Sequence, residues 1–219
     1  KFSVRGRDMG STIAEAQSKV NKVVHLNKGY EMQWAGDFEN QQRATKRLGQ
    51  VVPISLLLIF LILFIMFGNI KDAGMVLLNV PFAIIGGIAA LLLSGTNFSI
   101  SAGIGFIALF GICIQNGVIL ITVFKNNLQR IKKSEFTHHS LETAIIEGVR
   151  SRVRPVVMTA LMAAIGLMPA ALSHGIGSET SKPLAIVVIG GLITATILTL
   201  LVFPLFFYLG YRKVGQQMD

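Results

Sequence analysis

The chain has 219 residues, 52% of them hydrophobic and only 14% charged, where a soluble domain carries roughly 25% charge. That balance excludes an ordinary soluble globular domain. The formal net charge of +9 does not point to nucleic acid either, because no aromatic-basic platform accompanies the cations and most of the 14 Phe lie in apolar stretches.

Residues 1–50 change period twice. Phe2–Val4 reads as a short extended stretch, and Ser11 follows as a candidate N-cap. Ile13, Ala16, Val20 and Val23 recur at helical spacing, with Glu15, Lys19 and Lys22 on other faces. Tyr30, Met32 and Trp34 alternate with Glu31 and Gln33, the pattern of a half-buried strand ended by Gly36. Strand, helix, strand is one βαβ unit, too small to bury a core alone. It predicts an α+β remnant of a domain whose remainder lies upstream. The polar run FENQQRATKRLGQ then predicts a helical lead-in to the apolar region.

Five stretches without charge follow, at 51–67, 75–93, 100–124, 155–172 and 184–209, the shortest 17 and the longest 26 residues. A helix needs about 20 residues to cross the hydrocarbon layer. Lipid offers backbone N–H and C=O groups no partner, so each stretch must be helical. The fold class is therefore membrane all-α with five transmembrane helices (51–209), and a cytoplasmic tail at 210–219. Ala83/Gly87 and Gly86/Ala90 in the second stretch, and Gly190/Thr194 and Gly191/Ala195 in the fifth, place small residues four apart. Such spacing lets helix backbones approach closely.

Basic residues set the orientation. The loop at 68–74, the loop at 125–154 and the tail hold ten Lys and Arg, against Lys182, Arg43, Lys46 and Arg47 near the spans on the other side. The positive-inside rule puts the larger group in the cytoplasm and residues 1–50 outside. Within the loop at 125–154, Leu141, Ala144, Ile145, Val149 and Val153 form one stripe. This predicts an amphipathic helix at about 138–153 lying along the membrane surface before Pro155 opens the fourth span.

Few residues offer chemistry. Cys113 is the only cysteine and sits in the third stretch, so there is neither a disulfide framework nor a cysteine metal site. Gln115 and Asn116 in the same stretch need partners or water, which marks a helix contact or a hydrated path. Arg152 and Thr159, seven residues apart, share a helical stripe. No stretch contains Asp, Glu, Lys, Arg or His, so the sequence predicts no buried titratable carboxylate here and no complete proton relay. His138 and His139 read as a helix start. Met158, Met162 and Met168 read as packing residues. His174 and Glu179 share an outer loop with no third ligand beside them, which leaves no metal site, and nothing calls for a cofactor.

Five runs carry a resemblance: VRGRDMGSTIAEAQ (4–17), WAGDFENQQRA (34–44), GICIQNGVIL (111–120), EGVRSRVRPVVMTALMAAIGLMP (147–169) and GIGSETSKPLAIVVIGGLITATILTLLVFP (175–204). Together they resemble the resistance-nodulation-division efflux pumps, and most closely their heavy-metal branch of cobalt–zinc–cadmium and copper–silver exporters. The resemblance implies a C-terminal part of a twelve-span inner-membrane protomer, with residues 1–50 ending a periplasmic porter domain. It implies a proton/cation antiporter rather than an enzyme. It also implies a homotrimer docked to a periplasmic adaptor and an outer-membrane channel. Arg152 and Thr159 fall on the family's relay positions. Gln115 stands where multidrug members carry a relay Lys, followed by the matching Asn116, and this departure fits the heavy-metal branch. The absence of Met from Glu179-Thr180-Ser181 leans toward divalent Zn, Co or Cd over Cu or Ag. Two rival readings are a multidrug-type pump and a non-transporting accessory subunit built on the same half-fold.

Overall fold

The computed structural model describes residues 9–24, 37–131, 138–175 and 178–215. The chain divides into two compact units, Lys1–Pro53 and Ile54–Asp219.

In the first unit, α1 (Met9–Val23) follows the predicted stripe, with Ile13 buried and Ala16 and Val20 half-buried. Glu15 and Lys19 pair at 2.8 Å one turn apart. The helix begins at Met9, so Ser11 lies inside its first turn and does not cap it. The expected strands at Phe2–Val4 and Tyr30–Trp34 fall outside the described residues. There is no strand among the described residues, and the α+β character of this segment is not seen. The polar lead-in is helical: α2 (Asp37–Phe67) runs from it into the apolar region.

The second unit holds the remaining length of α2, then α3 (Ile70–Leu77), α4 (Asn79–Leu93), α5 (Ile100–Arg130), α6 (His138–Ala171) and α7 (Ser178–Gly215). Five segments are long and apolar enough to cross a membrane: Gln42–Phe67, Ile70–Leu93, Ile100–Arg130, His139–Ala171 and Thr180–Tyr211. Each reaches beyond the corresponding charge-free stretch at one end or both, because a helix carries polar residues into the interface.

Local chemistry sets the element ends. Gly68 (φ 65°) closes α2, with its N–H donating to the Phe64 carbonyl at 2.9 Å. Gly95 (φ 64°) closes α4, where the N–H groups of Gly95 and Thr96 donate to the carbonyls of Leu92 and Leu91. This is the paired pattern that satisfies a helix's last carbonyls, and the left-handed backbone it needs is open to glycine at little steric cost. The Oδ1 of Asn69 caps α3 and the hydroxyl oxygen of Ser99 caps α5, each accepting a backbone N–H. The second span breaks at Leu78 because Pro81 has no N–H to offer the Leu77 carbonyl.

Helix α7 is the axis of this unit and packs on α4, α5 and α6. Small residues set how close the backbones come. A β-carbon at Gly86 would overlap Thr194, and one at Gly190 would overlap Ala90. One at Gly191 would press on the Ala83 carbonyl and the Leu109 side chain. Residues from the predicted small pairs thus meet between α4 and α7: Gly86 with Thr194 and Gly190, Ala90 with Gly190, and Ala83 with Gly191.

The region predicted to lie on the membrane surface is different. Helix α6 runs unbroken through Pro155, and Leu141, Ala144 and Ile145 of the expected stripe are buried within the protein. Helix α5 continues past Phe124 to Arg130 and supplies the partner. The Phe124 ring lies where a β-carbon at Gly148 would be, and the Asn127 amide donates to the Ala144 carbonyl at 3.0 Å. Val149 of the same stripe is half-buried and Val153 exposed, and the helix absorbs the single bond that Pro155 forfeits.

Gly190→Ala in the full-length protein should lower stability by about 1–3 kcal/mol through overpacking. Gly166→Ala, where nothing lies within 4 Å of the added carbon, should leave stability unchanged. Thermal unfolding of the two detergent-solubilised variants checks the contrast.

Candidate functional site

The four residues singled out from sequence do not form one contact. Gln115 is exposed on α5 and Asn116 beside it is half-buried. Thr159 is exposed on α6, and its hydroxyl donates to the Pro155 carbonyl one turn back at 2.8 Å. Arg152 is half-buried and lines a cavity of about 370 Å³ with Val123, Asn126, Asn127, Arg130 and Ser151. Thr159 stands two turns beyond Arg152, about 10 Å by helix rise. The four residues line neighbouring helices at different depths.

The structure gathers a different set of charges. Asp72, in the first turn of α3, is fully buried. Its carboxylate accepts from Lys125 Nζ of α5 at 2.9 Å and from the Tyr211 hydroxyl of α7, whose oxygen lies 2.7 and 3.0 Å from the two carboxylate oxygens. Lys125 Nζ also lies 3.4 Å from the Phe67 carbonyl at the end of α2 and 5.6 Å from the centre of the Phe67 ring. The expectation that this chain holds no buried carboxylate is therefore corrected. Asp72 lies outside the charge-free stretch at 75–93, in the expected loop at 68–74. The helix actually starts at Ile70 and draws Asp72 inside.

Each charge sits at the helix end that favours it. The carboxylate lies in the first turn of α3 and the ammonium beside the last carbonyls of α2, matching the signs of the helix dipoles. An aromatic stack backs the pair: Phe207 lies 4.9 Å from Phe124 and 4.4 Å from Tyr211 between ring centres. Three donor contacts from two side chains meet the lone pairs of the carboxylate, which is what makes a buried ion pair tolerable. The arrangement is a clasp joining α2, α3, α5 and α7. Sequence offered one signal for it: the charge-based topology already places Asp72, Lys125 and Tyr211 on the same membrane side, each just beyond the end of a charge-free stretch.

A second polar contact sits one residue past the break at Leu78. Asn79, 2% exposed, accepts at Oδ1 from the Thr199 hydroxyl of α7 at 3.2 Å. A β-carbon at Gly117 would lie 2.6 Å from its Nδ2, so α5 leaves a notch for this amide. Asn79 Nδ2 and Thr196 Oγ1 are buried without a hydrogen-bond partner among the described residues. Cys113 is buried and unpaired. Among the described residues, no three His, Cys, Asp or Glu gather as metal ligands. His174 is exposed, while the side chain of Glu179 lies outside what is described.

Removing either partner of the clasp should destabilise the full-length protein unequally. Lys125→Met strands a fully buried carboxylate and should cost about 3–5 kcal/mol. Asp72→Asn keeps a hydrogen-bonding group beside a lysine whose side chain is 29% exposed, and should cost about 1–3 kcal/mol. Thermal unfolding in detergent should rank wild type above Asp72→Asn above Lys125→Met.

Residues 1–210 match the model of the AcrB/AcrD/AcrF family. The chain is 46% identical over 211 residues to the cobalt-zinc-cadmium resistance protein CzcA of Cupriavidus metallidurans, covering 96% of this chain and 19% of that protein. It is 46% identical over 202 residues to the nickel and cobalt resistance protein CnrA of the same organism, covering 92% of this chain and 18% of that protein. A crystal structure of a heavy metal efflux pump superposes with a TM-score of 0.76 at 44% identity, covering 94% of this chain and 20% of that one. The chain thus spans about a fifth of the length of the relatives it matches.

Proposed function

This chain belongs to the AcrB/AcrD/AcrF family, in the heavy-metal branch of the resistance-nodulation-division proteins, and we propose that it is the C-terminal part of a proton-driven pump exporting divalent metal cations. The observation that carries this reading is the 46% identity, over nearly the whole chain, to relatives named for resistance to cobalt, zinc, cadmium and nickel. Co²⁺, Zn²⁺ and Cd²⁺ are the favoured cargo over Cu⁺ and Ag⁺.

Residues 51–209 would provide the last five spans of an inner-membrane protomer, with residues 1–50 ending its periplasmic porter domain and 210–219 a cytoplasmic tail. The working assembly would be a homotrimer with a periplasmic adaptor and an outer-membrane channel. Arg152, Thr159, Gln115 and Asn116 would line one hydrated proton path beside carboxylates carried elsewhere in the pump. Arg152 acts there as a fixed positive charge, Thr159 as a hydroxyl that both donates and accepts, and the two amides as orienters of water. The exposure of Gln115 and Thr159 in this chain supports a path closed by further parts of the protein. The Asp72 clasp stands apart from it, because its carboxylate is already engaged by lysine and tyrosine.

Metal tolerance of a strain deleted for the full-length gene tests this reading. The deletion should sensitise cells to cobalt, zinc or cadmium and leave copper and silver tolerance unchanged, and the wild-type gene should restore resistance. Arg152→Ala should fall to the deletion level, Thr159→Ala to an intermediate level, and Gln115→Ala closest to wild type, all with normal expression and trimer formation. Unchanged tolerance to all five metals in the deletion strain would remove the proposal.

Orientation has its own check. Reporter fusions to the full-length protein at Gln129 and Ser178 should report opposite compartments, with Gln129 in the cytoplasm.

A further inference from the structure

Among the described residues, the charged side chains lining the cavity at the junction of α5 and α6 are Arg130 and Arg152, both cationic. Asn127 donates its amide to the Ala144 carbonyl and Ser151 its hydroxyl to the Gly148 carbonyl at 2.8 Å. Among the described residues, the Asn126 amide and the guanidinium groups of Arg130 and Arg152 have no such commitment. Neither arginine forms an ion pair among the described residues. Lys125 on the same helix is turned to Asp72. The carboxylate of Glu147 and the imidazole of His139 belong to the adjoining cavity of about 590 Å³, which shares Asn127 and Arg130. Among the described residues, no acidic one lines the cavity that holds Arg152.

In the reading proposed above, on which this inference rests, the cavity stands where the proton path opens to the cytoplasm. We infer that Arg130 and Arg152 make it a cation-rejecting mouth, and that Arg130 is the residue setting this selectivity. A cleft lined by one sign of charge concentrates its field, and an arginine in a pore is an electrostatic barrier to protons and cations alike, so selectivity rests on how much each is repelled. The repulsion on a divalent cation is twice that on a proton at the same place. A proton also crosses by exchange along hydrogen-bonded water, without a hydrated ion resting between the guanidinium groups. A pump for divalent metals gains from this arrangement, because cytoplasmic cations cannot block the proton path. Arg130 is exposed, so its field is screened within about 8 Å at physiological salt.

The test uses inside-out vesicles carrying the full-length transporter, with an enclosed pH dye recording metal-dependent proton movement. Mg²⁺ is titrated onto the outward-facing cytoplasmic surface. In wild type and Arg130→Lys the half-blocking Mg²⁺ concentration should be alike. In Arg130→Ala it should fall by about 3–10-fold at low ionic strength, and further in Arg130→Glu, with the differences shrinking as KCl is raised. A merely structural role for Arg130 would not produce an effect that follows charge and fades with salt. Equal Mg²⁺ block in all four proteins, with proton movement intact, overturns the mouth. Absence of metal-dependent proton movement in wild type overturns the pump reading itself, and the mouth with it.

Discussion

The close approach of α4 and α7 is the constraint on which the rest of the membrane unit depends. In lipid there is no hydrophobic gain in moving a leucine from bilayer to protein, so association rests on contact area and on polar bonds. Gly86, Gly87, Gly190 and Gly191 remove the side chains that would hold the two backbones apart. Once they meet, Ala83, Val187, Val188 and Leu192 are enclosed, and α7 presents its other faces to α5 and α6.

Polar contacts then fix the register of helices that dispersion alone would leave free to slide. Thr199 reaches Asn79 near the middle of the unit, and Tyr211 reaches Asp72 at its end, 12 residues further along the same helix. The two bonds lie at separated heights along α7, so together they oppose sliding. The ion pair adds α5, and the Lys125 contact with the Phe67 carbonyl adds the end of α2. A buried pair of this kind is weak evidence for net stability against an apolar replacement. It does specify which helix ends meet, since any other register would leave a charge unpaired in a medium without water.

Two arginines on the same side of the unit are held differently. Lys125 is paired, whereas Arg130 and Arg152 share a cavity that no carboxylate lines among the described residues. The contrast separates a charge used to join helices from charges to which the inference above gives a role at the cavity. A count of basic residues does not distinguish these roles, as all three add equally to the positive-inside balance.

The spans and the small-residue pairs could be read directly from the sequence. Length and the absence of charge are properties of single segments, and a helix across lipid satisfies its own backbone bonds wherever its neighbours are. Gly86/Ala90 and Gly190/Thr194 could likewise be named as packing pairs from their spacing, as could the helix over Ile13 to Val23. What tertiary structure decided was every property that needs two segments at once. Asp72 looks like a loop residue until α5 and α7 bring Lys125 and Tyr211 to it. The stripe at Leu141, Ala144 and Ile145 looks like a lipid-facing one until the extension of α5 covers it, and Asn79 is unremarked until Thr199 and the notch at Gly117 give it a place. Periodicity records which face of a helix is apolar or polar. Which neighbour meets that face depends on distances between residues far apart in the chain, and a single sequence carries no record of them.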